Sequence, residues 1–183
     1  GSFGAGAVGR IAANFVNGPR TVTNGVDLFV EYETDYADGI MTAGLEANYV
    51  AKYSVDAYFK GTTKVADAYE CDGFFNINNP CRPIPTMKGK AFVNYRTDAH
   101  NFYGAVNYIS AYDDRRSSKE ITAHTTVDAT YTYTWDDAFD ISLSVYNLTD
   151  EQPPFTVWEM NYDAYTHSPL GRFVKAGFTY RMQ

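Results

Sequence analysis

The sequence contains no long hydrophobic run, and it is poor in the residues that most often build metal sites. No stretch approaches the roughly 18 consecutive apolar residues of a transmembrane helix, which excludes a membrane span of that kind. Only three histidines and two cysteines occur among the 183 residues. His100, His124 and His167 are dispersed, and none belongs to a cluster with metal-ligand spacing. We therefore interpret the histidines as loop or interior residues, and we expect no metal site and no cofactor.

Basic residues are also in the minority. Lys and Arg total 15 against 22 Asp and Glu, for a formal net charge of -7. No basic patch is interleaved with the aromatic residues, which argues against a nucleic-acid partner. The pairs Asp113-Asp114 and Asp136-Asp137 lie in predicted turns, where Asp is favoured because it hydrogen-bonds the backbone. We therefore expect no acid–base site and predict that the protein is not an enzyme.

The chain also lacks an initiator methionine and a leader that is first charged and then apolar. It begins at Gly1 and ends with Tyr180-Arg181-Met182-Gln183. We expect a processed form or a piece of a longer protein.

The two cysteines lie in one loop-like segment. Cys71 and Cys81 are ten positions apart and are flanked by Asp72-Gly73 and Pro80. This spacing suits a disulfide that closes a loop in an oxidising compartment. A pair of metal ligands is the alternative, although the segment contains no histidine and no further cysteine.

Aromatic residues, by contrast, are abundant, since 16 Tyr, 12 Phe and 2 Trp make up 16% of the chain. Such residues favour strands. The last hairpin, residues 138–182, begins with a strict alternation of apolar and polar side chains. The apolar set is Phe139, Ile141, Leu143 and Val145, and the polar set is Asp140, Ser142, Ser144 and Tyr146. A strand pair with two such faces suits a wall between lipid and water.

The same alternation recurs upstream and predicts about eight strands, beginning with a weak one at residues 9–16. Most have roughly 10 alternating residues, near the length that a tilted strand needs to cross a bilayer. Connections alternate between short and long. The short ones lie near Asp35, Asp98 and Asp136, and the long ones span residues 57–85, 113–120 and 148–171. Outer-membrane barrels show this asymmetry, with short periplasmic turns and long extracellular loops.

An aromatic residue precedes each predicted short turn. These residues are Tyr32, Tyr95, and Tyr133 with Trp135. Aromatic side chains at one rim form the interfacial girdle of a membrane barrel, because an amphipathic ring prefers the headgroup layer. A soluble β-sandwich would explain the alternation but neither the one-sided loops nor the girdle. We therefore predict an all-β chain that forms an antiparallel transmembrane β-barrel segment.

The polar face of the predicted wall carries several acids. We expect Asp27, Glu31, Glu46, Asp128 and Asp140 to face the lumen of the barrel. Finding them on the lipid face would refute the register, because a slip of one residue exchanges every face.

The C-terminal part resembles the end of TonB-dependent outer-membrane receptors. The relevant motifs are Asn147-Leu148-Thr149-Asp150 with Pro153-Pro154, then Gly171-Arg172 before an aromatic-rich last strand. Gly25-Val26-Asp27-Leu28 is similar to a strand start of the same family. The resemblance covers nearly the whole chain as a pattern, and it is most specific in the last 45 or so residues.

This resemblance implies a barrel of about 22 strands, of which residues 1–183 form the C-terminal portion, without the plug and the upstream strands. It also implies active uptake of a scarce nutrient across the outer membrane of a Gram-negative bacterium, energised through TonB. Candidate nutrients are iron–siderophores, cobalamin and oligosaccharides. Implied partners are outer-membrane lipid, the rest of the receptor and the TonB complex, and a surface lipoprotein or a phage is a further candidate. The alternatives are a passive porin and a soluble β-sandwich carbohydrate-binding module.

Ligand contacts of such a receptor are expected in the outer loops. One candidate set combines stacking and charge, and the other is the densest aromatic set of the chain. These sets are Tyr112, Asp113, Asp114, Arg115 and Arg116, and Trp158, Tyr162, Tyr165 and His167. Rings of this kind suit sugars or aromatic chelators. The alternative is that they pack the loops against one another or form an upper girdle.

Overall fold

A computed structural model describes residues 15, 17–75, 81–136 and 138–181. The predicted strand at residues 9–16 (except Phe15), Asp137 and Met182 lie outside these ranges. The strands are β1 Thr21–Tyr36, β2 Gly39–Val55, β3 Tyr58–Lys60, β4 Thr63–Ala66, β5 Tyr69–Glu70, β6 Phe74–Phe75, β7 Met87–Arg96, β8 His100–Ile109, β9 Tyr112–Asp114, β10 Lys119–Ile121, β11 His124–Asp136, β12 Phe139–Tyr146 and β13 Phe173–Tyr180. No helix in the described part of the chain is long and apolar enough to cross a membrane.

Seven long strands form one antiparallel meander, which we call the wall. The strand order is β1-β2-β7-β8-β11-β12-β13, and the short β5 also pairs with β2. Consecutive wall strands are joined alternately by short turns, which follow Tyr36, Arg96 and Asp136, and by long connections between β2 and β7, β8 and β11, and β12 and β13 (residues 56–86, 110–123 and 147–172). Antiparallel neighbours place all three long loops at one end, here called the outer end. The predicted all-β fold and its alternation of short and long connections are confirmed.

The strand register separates the two faces of the wall. Val30, Leu45, Ala91, Val106 and Val127 are opposite one another in turn across five strands. Directly opposite residues share a face, so this row lies on one apolar surface. The adjacent row is Phe29, Glu46, Lys90, Asn107 and Thr126 on the other surface. The alternation read from the sequence therefore sets both faces of the wall.

The wall is an open sheet within the described residues, with β1 and β13 as its edges. Its apolar face is not covered by another part of the described chain, since Val30 and Val93 remain 52% and 46% exposed. A sandwich would need a second large sheet against this face, and the other described sheets have only three and two strands.

The long loops carry structure of their own. Strands β3 and β4 form a small hairpin, and β6 pairs in parallel with β9, which also pairs with β10. A disulfide joins Cys71 and Cys81, whose Cα atoms are 6.1 Å apart. The pairing of β6 with β9 ties the loop at residues 56–86 to the loop at residues 110–123.

Candidate functional site

The five acids expected in the lumen all lie on the polar face of the wall. Asp27 and Glu31 come from β1, Glu46 from β2, Asp128 from β11 and Asp140 from β12. Each is paired across the sheet with a residue on the same face, for example Asp27 with Asn48 and Glu46 with Lys90. Whether this face borders a lumen remains a prediction.

Several of these acids have partners within the wall. Asn48 Nδ2 donates to Asp27 Oδ1 at 2.6 Å. Asp140 forms an ion pair with Arg181 and accepts from Thr134 Oγ1 at 2.9 Å. The polar face also carries lysines, whose positive charge the acids offset in part. It contains an open cavity of about 510 Å³. That cavity is lined by Asp27, Leu28, Phe29, Glu46, Ala47, Asn48, Lys88, Gly89 and Lys90.

An apolar cluster holds the outer loops together. Phe75, Tyr112 and Ile121 are at most 3% exposed, and Trp158 packs against them. The rings of Phe75 and Trp158 are 5.0 Å apart. These residues come from all three long loops, so the loops form one packed unit, which we call the loop core.

Asp114 is the buried anion of the loop core, with 1% exposure. Its carboxylate accepts from Thr156 Oγ1 at 2.6 Å, Ser117 Oγ at 2.8 Å and the Arg116 backbone N–H at 2.9 Å. Burial raises the pKa of this carboxyl, but these hydrogen bonds and one from the Val157 backbone outweigh it, so the pKa lies below its usual range. Asp114 is therefore ionised and fully bonded, and it fixes the last long loop to β9.

A chain of hydrogen bonds crosses the loop core beside this carboxylate. The Tyr112 hydroxyl donates to Asp163 Oδ2 at 2.7 Å and lies 3.0 Å from His167 Nε2. Nδ1 of His167 lies 3.2 Å from Nδ1 of His124. Because the tyrosine proton goes to the carboxylate, His167 Nε2–H donates to the tyrosine oxygen, and His124 Nδ1–H donates to His167. All four side chains are at most 8% exposed.

Burial sets the titration of this network. It lowers the pKa of His167 to about 4, assisted by the neighbouring His124 and by Lys88 and opposed by the charge of Asp163. It also raises the pKa of the Tyr112 hydroxyl, as does the bond to Asp163. The histidine is thus neutral and the tyrosine protonated near neutral pH.

Arginines extend the aromatic packing to the surface of the loops. Trp158 stacks on Tyr165 with ring centroids 5.4 Å apart, and the Arg82 guanidinium lies 5.4 Å from the Tyr165 ring. On the other side of β6, the Arg115 guanidinium lies 3.6 Å from the ring of Phe74. These cation–π contacts leave planar cationic groups at the outer surface.

The nine residues singled out as ligand contacts fall into three groups. Asp113, Arg115, Arg116 and Tyr165 are exposed, Trp158 and Tyr162 are half-buried, and Tyr112, Asp114 and His167 are buried. The structure brings both candidate sets together around the loop core. Sequence reasoning missed Thr156, Asp163 and His124 as members of this core, and no local pattern distinguishes them.

A second set of contacts joins the end of β12 to the start of β13. Asn147 exchanges two hydrogen bonds of 2.9 Å with the Glu151 backbone. Asp150 Oδ1 accepts from the Arg172 N–H at 2.7 Å, and Arg172 Nε donates to Leu148 O at 3.0 Å. A Cβ at Gly171 would displace Asp150 Oδ1, the atom that accepts from the Arg172 N–H, so a side chain here would disturb this contact. The motif residues thus act as a clamp on the last hairpin.

The described residues contain no group of three or more His, Cys, Asp or Glu side chains that could hold a metal ion. The site consists instead of a polar wall face and a stacked, cation-bearing loop surface. A family model described as TonB dependent receptor-like, beta-barrel, matches residues 2–148. The chain belongs to this family of TonB-dependent receptor β-barrels.

Membership of the TonB-dependent receptors explains the wall. The family comprises outer-membrane receptors of Gram-negative bacteria that transport with TonB, and it is not a family of enzymes. It also implies association of the chain with the rest of the receptor, with TonB and with the outer membrane. The match ends at Leu148. The assignment of residues 149–183 to the same barrel therefore depends on their own sequence motif and on the clamp. No curated protein and no solved structure matches the chain.

Proposed function

We propose that residues 1–183 are the C-terminal part of the barrel of an outer-membrane active transporter, supplying wall and outer loops. The transporter takes up a scarce nutrient, and TonB energises it through a plug that lies, with the upstream strands, outside this chain. The wall carries this proposal, because its apolar face suits lipid and its polar face suits a water-filled or plugged interior. Its two edges suit pairing with further strands of a barrel of about 22.

The outer loops are the proposed site of first contact with the nutrient. Their exposed members, Asp113, Arg115, Arg116 and Tyr165, offer charge and a stacking surface. The half-buried Trp158 supports Tyr165 from below. In this proposal the buried Tyr112, Asp114 and His167 act through the shape of the loops rather than by touching the nutrient. Iron–siderophores, cobalamin and oligosaccharides are the candidate nutrients.

The polar face of the wall is the proposed seat of the plug. The open cavity beside Asp27 and Glu46 has acids on one side and Lys88 and Lys90 on the other. An unpaired charge buried against the plug would be costly, so we propose that several wall acids pair with plug arginines.

Two measurements test this proposal: whether extraction of the protein requires detergent, and whether nutrient uptake depends on TonB. The intact receptor should require detergent, should co-purify with its plug as one polypeptide, and should support nutrient uptake that stops when TonB is deleted. A passive porin would instead conduct ions in a planar bilayer and would not depend on TonB. A stable monomer of residues 1–183 without detergent would refute the membrane wall and favour a soluble module.

A further inference from the structure

A small cavity opens on the polar face of the wall at its outer end, apart from the stacked surface of the loops. Its volume is about 300 Å³, at the lower limit for ligand pockets. It lies between the start of β11, the end of β12 and the segment that leads into β13. Its described lining residues are His124, Thr126, Asp128, Tyr146, Asn147, Ser168, Leu170, Gly171 and Phe173.

The charge of this cavity is negative. The described residues that line it include no lysine or arginine, and Asp128 is the carboxylate among them. Asp128 Oδ1 accepts from the Asn147 N–H at 2.9 Å, and Oδ2 accepts from Asn107 Nδ2 at 2.8 Å. Each carboxylate oxygen has two acceptor positions, so one remains on each for a ligand donor. An anionic ligand would meet this carboxylate with no cation among the described lining residues, since Lys90, which interacts electrostatically with Asp128, lines the larger cavity instead.

The histidine in the lining is held by the loop core. Its Nδ1–H donates to Nδ1 of His167 at 3.2 Å. Nε2 of His124 is buried and has no hydrogen-bond partner among the described residues. His124 therefore lends ring surface to the cavity, and the acceptors for a ligand are those of Asp128.

The opposite side of the cavity is flat and apolar. Tyr146 and Phe173 are directly opposite each other on β12 and β13, with ring centroids 6.3 Å apart and planes at 26°. The Ser168 hydroxyl already accepts from the Leu170 N–H at 3.2 Å, so its own proton is available to donate. The lining therefore combines the acceptors of Asp128, the hydroxyls of Thr126, Tyr146 and Ser168, and ring faces.

We propose that this cavity binds a neutral, hydroxyl-bearing ring, as in one residue of an uncharged oligosaccharide. Hydroxyl groups both donate and accept, and the apolar face of a sugar ring packs on aromatic rings. The inference rests on the proposed function as a transporter and narrows its nutrient class. It disfavours ferric catecholates and acidic sugars at this position, because both bring negative charge to Asp128.

Binding to the intact receptor in detergent tests the cavity. The probes are maltotetraose, xylotetraose and N-acetylchitotetraose, with tetragalacturonate and a ferric tris-catecholate as anionic counterparts, measured by titration calorimetry. We expect at least one neutral probe to bind. Asp128→Asn should weaken it roughly 10- to 100-fold, the factor carried by a hydrogen bond to a charged group. Phe173→Ala, which breaks no hydrogen bond of Asp128, should weaken it roughly three- to tenfold.

Glu33→Gln is the matched control, since Glu33 lies on the same face at the inner end of β1 and is exposed. It should leave binding unchanged. The inference is overturned if no neutral probe binds, if both cavity variants bind as the wild type does, or if an anionic probe binds and Asp128→Asn tightens it. Uptake with and without TonB, measured in parallel, separates the two proposals. TonB-dependent uptake of another nutrient would keep the transporter and reject the sugar site.

Discussion

The wall and the loop core differ in how far their apolar side chains are buried within the described chain. Leu45 and Val93 of the wall stay 42% and 46% exposed, whereas Phe75 and Ile121 of the loop core are 0% and 1% exposed. The wall is a single sheet, so its apolar face is not covered by another part of the described chain, and in the proposed barrel lipid would cover it. The loop core buries its own rings. The loops should therefore keep their packing independently of the membrane.

Carboxylates show the same contrast. Asp114 and Asp163 of the loop core are 1% and 0% exposed and are held by hydrogen bonds within the loops. Asp27 and Glu31 of the wall are exposed. A buried carboxylate without such partners would be strongly destabilising. Asp114 and Asp163 are therefore structural, while Asp27 and Glu31 of the wall remain open to solvent in the described chain.

The largest expected effect comes from removing the centre of the loop core. Phe75→Ala should destabilise the packed loops by about 3–5 kcal/mol, as for other buried Phe→Ala changes. Hydrogen exchange of the loop amides in the intact receptor measures this, and exchange in the wall strands should stay slow. Phe74→Ala is the matched control, because Phe74 is half-buried on the other side of β6. Equal effects of the two variants would contradict a separate loop core.

A charge on the wall should have a somewhat smaller effect that depends on the face. Val93→Arg places a cation on the apolar face and should destabilise the receptor in a bilayer by about 2–4 kcal/mol. Asn94→Arg, one residue further on the polar face, should cost much less. Denaturant titration in lipid vesicles measures both. If Asn94→Arg were the more damaging variant, the assignment of the two faces would be reversed.

Acid should loosen the loops by a smaller amount and leave the wall intact. The pKa of His167 is lowered to about 4, against about 6.5 in an unfolded chain. A lowered pKa stabilises the folded loops above pH 6.5, and this contribution is lost as the pH falls through that window to 4. At pH 5 the loss is about 2 kcal/mol. The pKa of Asp114 is also lowered, so its contribution disappears only at more acidic pH.

Hydrogen exchange of residues 147–172 between pH 7 and pH 4.5, corrected for the intrinsic pH dependence of exchange, measures this effect. His167→Gln should flatten the dependence. His100→Gln is the control, because His100 lies at the inner end of the wall and is exposed. A dependence that survives in His167→Gln would show that another group is responsible.

The wall could be predicted from the sequence, whereas the loop core could not. Alternation in β11 and β12 is a local signal, and a strand displays it whatever its neighbours are. Strand β1 begins at Thr21 and β2 ends at Val55, well beyond the alternating residues 26–33 and 41–49. Strand pairing continues there although the alternation of polarity does not. The nine candidate ligand residues were found by composition, which does not distinguish the exposed Arg116 from the buried Asp114.

The sequence by itself determined which side chains face each surface of the wall, where the short turns lie and to which family the chain belongs. Those properties depend on neighbours within a few positions, where alternation and turn residues act directly. Only the tertiary structure decided that Tyr112, Asp163, His167 and His124 form one hydrogen-bonded chain, and that Asp128 and Phe173 share a cavity. These residues are up to 55 positions apart. They meet because strand pairing and the clamp at Gly171 bring distant loops to the same end of the wall.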